Sequence, residues 1–395
     1  YELPNNNYIN TLLTFSGDSY TFTKEYEYNL VNHYSQNASV NFLWNSGINP
    51  TEVGESDIAE SHSSAYLYQN GELESITQSS EESIKEQVLD NSTTWSAIRN
   101  KYFTVVMLPE QEADFASFAS KNINFGARTT TPIYTTSLGY KNLQGKLAFT
   151  MFLGPLDIDY ISKLENNVES IMNFGWSIIK PFSKFVLWFI KLIHNSLSIN
   201  YGLVIIIVAG LMRIIMGPLT KKSYESSSKM QLMAPFQQKI QEKYKNDPQK
   251  LQSEMGKLWK EHGVNPLSGC LPMLVQWPIL MAFFIVFRST IEFRGKPFML
   301  WISDLSQPDY LFSIPFSIPL YGDAVAILPI IMGVSMFLTM GLSMQGTNSA
   351  QKPMLYFMNG FFILIFNSFP SGLTLYYTIF NLLSYQQQLS IKKNK

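Results

Sequence analysis

The 395-residue sequence has one cysteine, Cys270, which excludes an intramolecular disulfide framework and a cysteine-based zinc site. Charged residues are only 15% of the chain, against about a quarter in soluble proteins, while aromatics reach 14% and methionine stands at 17, a drift towards membrane-protein composition. There is no His-Glu-x-x-His, no Gly-x-Ser-x-Gly and no intramembrane aspartate pair, so no catalytic residue, metal ligand or cofactor is expected. His33 and His62 lack neighbours at ligand spacing. Leu267-Ser-Gly-Cys270 has the form of a lipoprotein cleavage box, but its mid-chain place at the start of an apolar run reads as coincidence and makes Cys270 a packed small residue. A net charge of −1 and a mean hydropathy of +0.00 would suggest a neutral soluble protein.

Those averages cancel across two unlike halves. Residues 1–175 hold 9 Lys+Arg against 21 Asp+Glu, a net of −12, and residues 176–395 hold 20 against 9, a net of +11. Such asymmetry is a membrane or polyanion signal. The first half alternates aromatic or β-branched residues with polar ones, as in Ser19-Tyr-Thr-Phe-Thr-Lys-Glu-Tyr-Glu-Tyr28. Further strands are expected at 38–44, 65–68, 103–108, 131–136 and 145–153, with turns near Asn45-Ser-Gly47, Asn70-Gly71 and Gly139. An all-β sandwich over 1–173 follows. The acidic stretch 78–90 reads as an exposed loop or short helix, and 157–173 as a polar helix.

Residues 174–197 change character. At about 100° per residue, Lys180, Lys184 and Lys191 share a narrow stripe. Ile178, Phe182, Phe185, Val186, Phe189 and Ile193 take the opposite arc, and Trp176 and Trp188 flank the stripe. This is the pattern of a helix in the headgroup plane, the alternative being a surface helix of the acidic domain. Five apolar runs follow within a membrane core at 198–390, at 199–219, 267–287, 324–342, 354–369 and 373–389. The loop 220–265 has nine Lys against five acids, the connection 343–353 has Lys352 and no acid, and the basic tail 391–395 ends Lys392-Lys-Asn-Lys395. The positive-inside rule makes these three cytoplasmic, which places residues before 199 and the loop 288–323 outside. An acidic domain outside with no signal at its start predicts an anchor or signal preceding residue 1. Within 220–265, Met233, Phe236, Ile240 and Tyr244, then Leu251, Met255, Leu258 and His262, recur at helical spacing around Asn246-Asp-Pro248. They predict a helical hairpin whose lysines, Lys221, Lys222, Lys229, Lys239 and Lys243, either steer RNA or anionic lipid or form a solvated face.

Arg213 is the one charge in the first run, about 12 Å along the helix from Lys221, and none of the five runs contains an acid. A cation at that depth costs roughly 2.5–3.5 kcal/mol on insertion scales, so it either snorkels or faces a wet groove that attracts acidic groups. Gln276, Ser335, Asn359, Asn367, Thr374, Tyr377 and Asn381 are the polar residues that would line such a groove.

The run Arg213-Ile-Ile-Met-Gly-Pro-Leu-Thr-Lys221, with Gln231-Leu-Met-Ala-Pro235, Val264-Asn-Pro-Leu-Ser-Gly-Cys-Leu-Pro272, Gln276-Trp-Pro-Ile279, Leu300-Trp-Ile-Ser-Asp-Leu305 and Phe369-Pro-Ser-Gly-Leu-Thr-Leu-Tyr-Tyr377, strongly resembles the YidC-type membrane protein insertases of the YidC/Oxa/Alb family. Trp95-Ser-Ala-Ile-Arg-Asn-Lys-Tyr-Phe103 resembles the family's periplasmic β-supersandwich domain more weakly, and Phe152-Leu-Gly-Pro-Leu156 departs from its usual basic residue after Gly-Pro. The resemblance implies a bacterial inner-membrane insertase, without its first span, that carries nascent membrane proteins into the bilayer without ATP. Arg213 would match the single arginine of a hydrophilic groove. Leu271, Met273, Leu274, Ile279, Phe283 and Tyr376 would form an apolar slide. The ribosome and the Sec translocon are implied as further partners, with no nucleic-acid sequence preference and function as a monomer. The competing class, a secondary transporter or channel with a sensing domain, would show an inverted repeat, and none is found.

Overall fold

The computed structural model describes residues 2–3, 7–29, 39–49, 51–52, 62–77, 84–124, 130–141, 145–263, 271–319, 321–343 and 352–393. His33, Cys270 and Lys395 lie outside them. The chain separates into two compact units, Tyr1–Asn173 and Phe174–Lys395.

Among the described residues, twelve strands build the first unit. An eight-stranded sheet has the order β1-β2-β3-β12-β9-β8-β5-β6, and a four-stranded sheet the order β4-β11-β10-β7. The first comprises β1 (Glu2–Leu3), β2 (Asn7–Phe15), β3 (Thr21–Asn29), β5 (Ser64–Gln69), β6 (Glu72–Ile76), β8 (Thr93–Arg99), β9 (Phe103–Pro109) and β12 (Gly145–Pro155); the second comprises β4 (Ser39–Trp44), β7 (Ile84–Leu89), β10 (Phe115–Asn124) and β11 (Thr130–Lys141). Alternate residues of both turn inward, as Leu147, Phe149 and Met151 do from β12, to meet Phe118, Tyr134, Leu138 and Tyr140 in one core. Asn70 and Gly71, both at positive φ (50° and 84°), close the tight β5–β6 hairpin.

Two expectations change here. The end of the stretch read as loop or short helix, 84–89, is strand β7, because pairing with β10 outweighs the helical leaning of its Lys, Glu and Gln. Nor is 157–173 one helix. A turn of α1 (Ile158–Ile161) runs directly into a 3-10 turn (Ser162–Leu164), and Glu165, Asn166 and Asn167, all at positive φ, separate these from a second 3-10 turn (Val168–Ile171). That segment is pinned to β8: Trp95 Nε1 donates to Asn166 O at 2.8 Å and buried Arg99 Nη1 to Ile171 O at 2.5 Å. Asn100 Oδ1 meanwhile accepts from the amides of Tyr102 and Phe103, shaping the β8–β9 turn. The most family-like motif of this unit therefore carries structure rather than chemistry.

The second unit is helical: α2 (Lys180–Leu197), α3 (Tyr201–Leu232), α4 (Ala234–Lys243), α5 (Pro248–Glu261), α6 (Leu271–Ser289), α7 (Ile327–Ser343), α8 (Lys352–Phe366) and α9 (Ser371–Lys393), with a strand pair β13 (Tyr310–Ile318) and β14 (Gly322–Ala326) before α7. Among the described residues, Tyr201–Ser223 is long and apolar enough to cross a membrane, and Leu274–Ser289, Ile327–Gly341 and Pro353–Phe366 are shorter apolar helices. Helix α2 has three faces rather than two. Ser183, Val186, Leu187 and Ile190 are buried, Phe182, Phe185, Trp188 and Leu192 are exposed, and Lys191 leaves the expected lysine stripe to bond Glu292 Oε1 at 3.3 Å in a mostly buried pair. Ser198, at left-handed φ, ends the helix, and His194 stacks on Tyr201 at 4.0 Å across the elbow into α3.

Helix boundaries also shift. Helix α3 runs through Pro218 to Leu232, because the change from apolar to basic residues at 219 ends the apolar run but not the helix. Residues 324–326, expected to open a span, belong to strand β14. In the four-stranded sheet, Gly139 faces Phe115, whose ring leaves no room for a Cβ. Gly139→Ala should therefore displace that ring and cost about 1–3 kcal/mol, read as a lower midpoint for the β-domain transition in thermal unfolding of the protein.

Candidate functional site

The long helix α3 carries Arg213 in its interior, where the side chain is 8% exposed. Nη1 donates to Thr220 Oγ1 at 3.4 Å, two turns on along the same helix, and Nη2 donates to Gln387 Oε1 on α9. The guanidinium carbon stands 5.5 Å from the centre of the Phe380 ring, one turn of α9 on either side of Ser384 from Gln387. Gln387 Nε2 in turn donates to Gly217 O at 3.5 Å, so one amide clasps α3 twice. Every one of these partners is neutral, and Nε has no partner among the described residues. A buried cation is therefore solvated by dipoles and a ring face, without a counter-ion among the described residues.

Helix α9 supplies a polar stripe. Thr374, Tyr377, Asn381, Ser384 and Gln388 recur at i, i+3, i+7, i+10 and i+14, and all but half-buried Asn381 are buried. Thr374, Thr378 and Ser384 spend their hydroxyls on carbonyls four residues back, which makes them compatible with an apolar surrounding. The facing helices contribute two more expected residues. Ser335 on α7 is buried and bonds Met332 O, and the neighbouring Thr339 joins α7 to α9 by donating to Ser335 O and Asn381 O. Asn359 on α8 donates to Gly333 O at 3.4 Å, while its Oδ1 has no partner among the described residues. The Tyr377 hydroxyl is likewise buried without a partner among them. Gln276 is half-buried on α6.

Several expected roles are redistributed. Asn367, expected in the groove lining, serves as a clasp: it donates to the carbonyls of Tyr321 and Ala324 and accepts from Ala326 N. Phe283 and Tyr376, expected on a lipid-facing slide, are buried and stacked at 4.1 Å, because α6 and α9 pack on that side. Leu274 is 65% exposed and Ile279 half-buried; Leu271 and Met273 open α6. Val275 and Trp277 extend the exposed apolar surface beside Leu274. Gln387, Ser384 and Gln388 were absent from the expected lining, although extending the 374–377–381 period by two turns reaches the last two.

In the basic segment, α4 and α5 form a pair about buried Met233 and Leu258, with Ile240 and Trp259 packed against them. Asp247 accepts from Lys250 N to start α5. Phe236, expected in this small core, is exposed beside the His262 ring. Lys221, Lys222, Lys229, Lys239 and Lys243 are all exposed.

A model of the 60Kd inner membrane protein family matches residues 192–395, and a model of the YidC periplasmic domain matches residues 1–189. Among curated proteins, the membrane protein insertase YidC of Prosthecochloris aestuarii is 39% identical over 389 residues, covering 96% of this chain and 65% of the relative. That of Chlorobaculum parvum is 38% identical over 386 residues, with the same coverage of each chain. The chain thus spans less than two thirds of the length of these relatives. Among solved structures, an active YidC insertase crystal structure with its first transmembrane domain resolved aligns over 82% of each chain at 22% identity and a TM-score of 0.42.

Because the partners of Arg213 are neutral, removing one should harm more than removing both. Gln387→Leu should destabilise the protein in detergent by about 1.5–3 kcal/mol, the usual worth of a hydrogen bond to a charged group, and Arg213→Met in the same chain should recover most of that loss. Additive losses in this cycle would show that the two side chains are not coupled.

Proposed function

The chain belongs to the 60Kd inner membrane protein family, the family of the YidC insertases, and from that footing we propose that it moves nascent transmembrane segments from the cytoplasm into the lipid bilayer. The observation that supports this most directly is the polar interior of the helical unit. Arg213 Nε, Asn359 Oδ1 and Tyr377 Oη are buried polar atoms without partners among the described residues, on three different helices. Groups of this kind are stable when water or a polar ligand reaches them.

In this reading five spans cross the membrane, with α4–α5, the α7–α8 connection and the C-terminus cytoplasmic and the β-domain periplasmic, an arrangement that the lysine distribution supports. The polar tail of a substrate enters the groove, where its carboxylates meet a guanidinium that has no counter-ion among the described residues. Gln387, Thr220 and Phe380 hold the cation in place without neutralising it, so its field remains available to the tail. Gln276, Ser335, Asn359, Thr374, Tyr377 and Asn381 give the tail hydrogen-bonding partners as it leaves water. The apolar segment meanwhile passes along Leu274, Val275, Trp277 and Ile279 into lipid. Its transfer yields roughly 0.8 kcal/mol per buried CH₂, which supplies the driving force without a nucleotide. The exposed lysines of α4 and the end of α3 receive the substrate or the ribosome, and the protein acts as a monomer or beside the Sec translocon.

Reconstitution of the full-length protein in liposomes tests this reading. Without nucleotide it should promote insertion of a small single-span substrate. Arg213→Ala should slow substrates with acidic tails several-fold and leave neutral-tailed ones nearly unchanged. Equal insertion of both classes by the variant would remove the electrostatic role of Arg213.

A further inference from the structure

Between Asp309 and Asp323 the chain has no charged residue. Tyr310, Phe312, Ile314, Phe316 and Ile318 occupy alternate positions, separated by Leu311, two serines and Pro315. That is the period of a strand that buries one face. Strands β13 and β14 do pair, but along β13 every residue except Ile314 is exposed, with Phe312 at 53% and Phe316 at 63%. A register shift between Ser313 and Ile318 carries the chain around Phe316 out of the ladder, so its aromatic side chain stands free of β14. An uncharged, aromatic strand with its apolar face uncovered requires an apolar surrounding.

Two clasps determine where this face stands. Asp309 Oδ2 accepts from the amide of Leu328, in the first turn of α7, and from Trp301 Nε1, both at 2.8 Å. Asn367, just beyond the end of α8, donates to the carbonyls of Tyr321 and Ala324 at 2.7 Å and accepts from Ala326 N at 2.9 Å. The hairpin is thereby rooted at the ends of two apolar helices. Helix α7 continues from β14 without a loop, and its Ile330, Val334 and Phe337, one above another at i, i+4 and i+7, are exposed. The uncovered face of the hairpin is thus continuous along the chain with a helix face that is itself apolar and exposed.

Resting on the membrane orientation proposed above, the geometry points to the β13–β14 hairpin as a lipid-docking element, whose apolar face enters the headgroup–acyl boundary of the outer leaflet and fastens the outer ends of α7 and α8 there. Its occupant is the acyl chains of the same bilayer. The backbone polar groups that pair in the ladder suit that depth, as do the aromatic rings of Tyr310, Phe312 and Phe316.

The test uses the full-length protein in phosphatidylcholine–phosphatidylglycerol vesicles. In a Cys270→Ser background, an environment-sensitive fluorophore is placed at Phe316→Cys, at Val334→Cys or, in an exposed turn of the β-domain, at Asp18→Cys. The label at 316 should lose more than half its fluorescence to lipids bearing a doxyl group near the headgroup end of the acyl chain and almost none to aqueous iodide. The label at 18 should do the reverse. Iodide quenching at 316 equal to that at 18 overturns the proposal, as does protection from both quenchers, which marks a protein partner or a second copy. The label at 334 separates the two levels: lipid quenching there without any at 316 removes the hairpin proposal alone, and its absence at 334 removes the membrane orientation on which the proposal rests.

Discussion

A guanidinium taken out of water must be surrounded by dipoles, and in this chain that requirement organises the helices around Arg213. Helix α3 supplies the cation and Thr220, and α9 supplies Gln387 and Phe380. A carboxylate in place of Gln387 would satisfy the charge more completely, yet it would also end the attraction for anything acidic arriving later. Neutral ligation keeps the side chain ordered and leaves its charge uncompensated, at a cost in stability.

The β-domain shows a different economy. Its family-like residues, Trp95, Arg99 and Asn100, are consumed in backbone contacts that fasten β8 to the broken segment after β12 and shape a turn. Burial also raises the Tyr140 phenol well above its ordinary range, helped by the charge of Asp114, and its hydroxyl is held by Gln111 O. These are the marks of a scaffold. Buried polar atoms without a partner among the described residues occur in both units, Ser96 Oγ and Ser170 Oγ in the first, and in the second they include a nitrogen of a cation, Arg213 Nε.

Much of this was legible in residue order. The strands β3, β4, β5, β11 and β12 could be read because aromatic or β-branched residues recur along them, and β9 because it is a continuous apolar run, buried at five successive positions. Strand β10 could not, since its inward positions include Ala116 and Ser120, too small to produce a pattern. The apolar runs marked where helices pass, but their ends were misplaced, because hydropathy tracks the solvent and the backbone does not: α3 and α9 continue as helix beyond their apolar stretches. Arg213 stood out through its isolation among apolar neighbours. Gln387 did not, as it lies in the polar run Gln386-Gln-Gln388 where nothing distinguishes one glutamine from another until the register of α9 against α3 is known. Phe283 and Tyr376 were misassigned for a related reason: an aromatic residue suits lipid and protein interior equally, and only packing decides.

Helix α3 is 32 residues long, about 48 Å of unbroken rod at 1.5 Å per residue. Arg213 stands near its middle, and its last turn leads through Met233 into the α4–α5 pair. About 29 Å of the same rod separates the cation from that pair, with no loop between them. The consequence is mechanical. The α4–α5 pair and the clasp that Gln387 makes on Gly217 and Arg213 hang on one helix, and Pro218, which has no amide N–H to donate, is the position between them where that helix bends most readily.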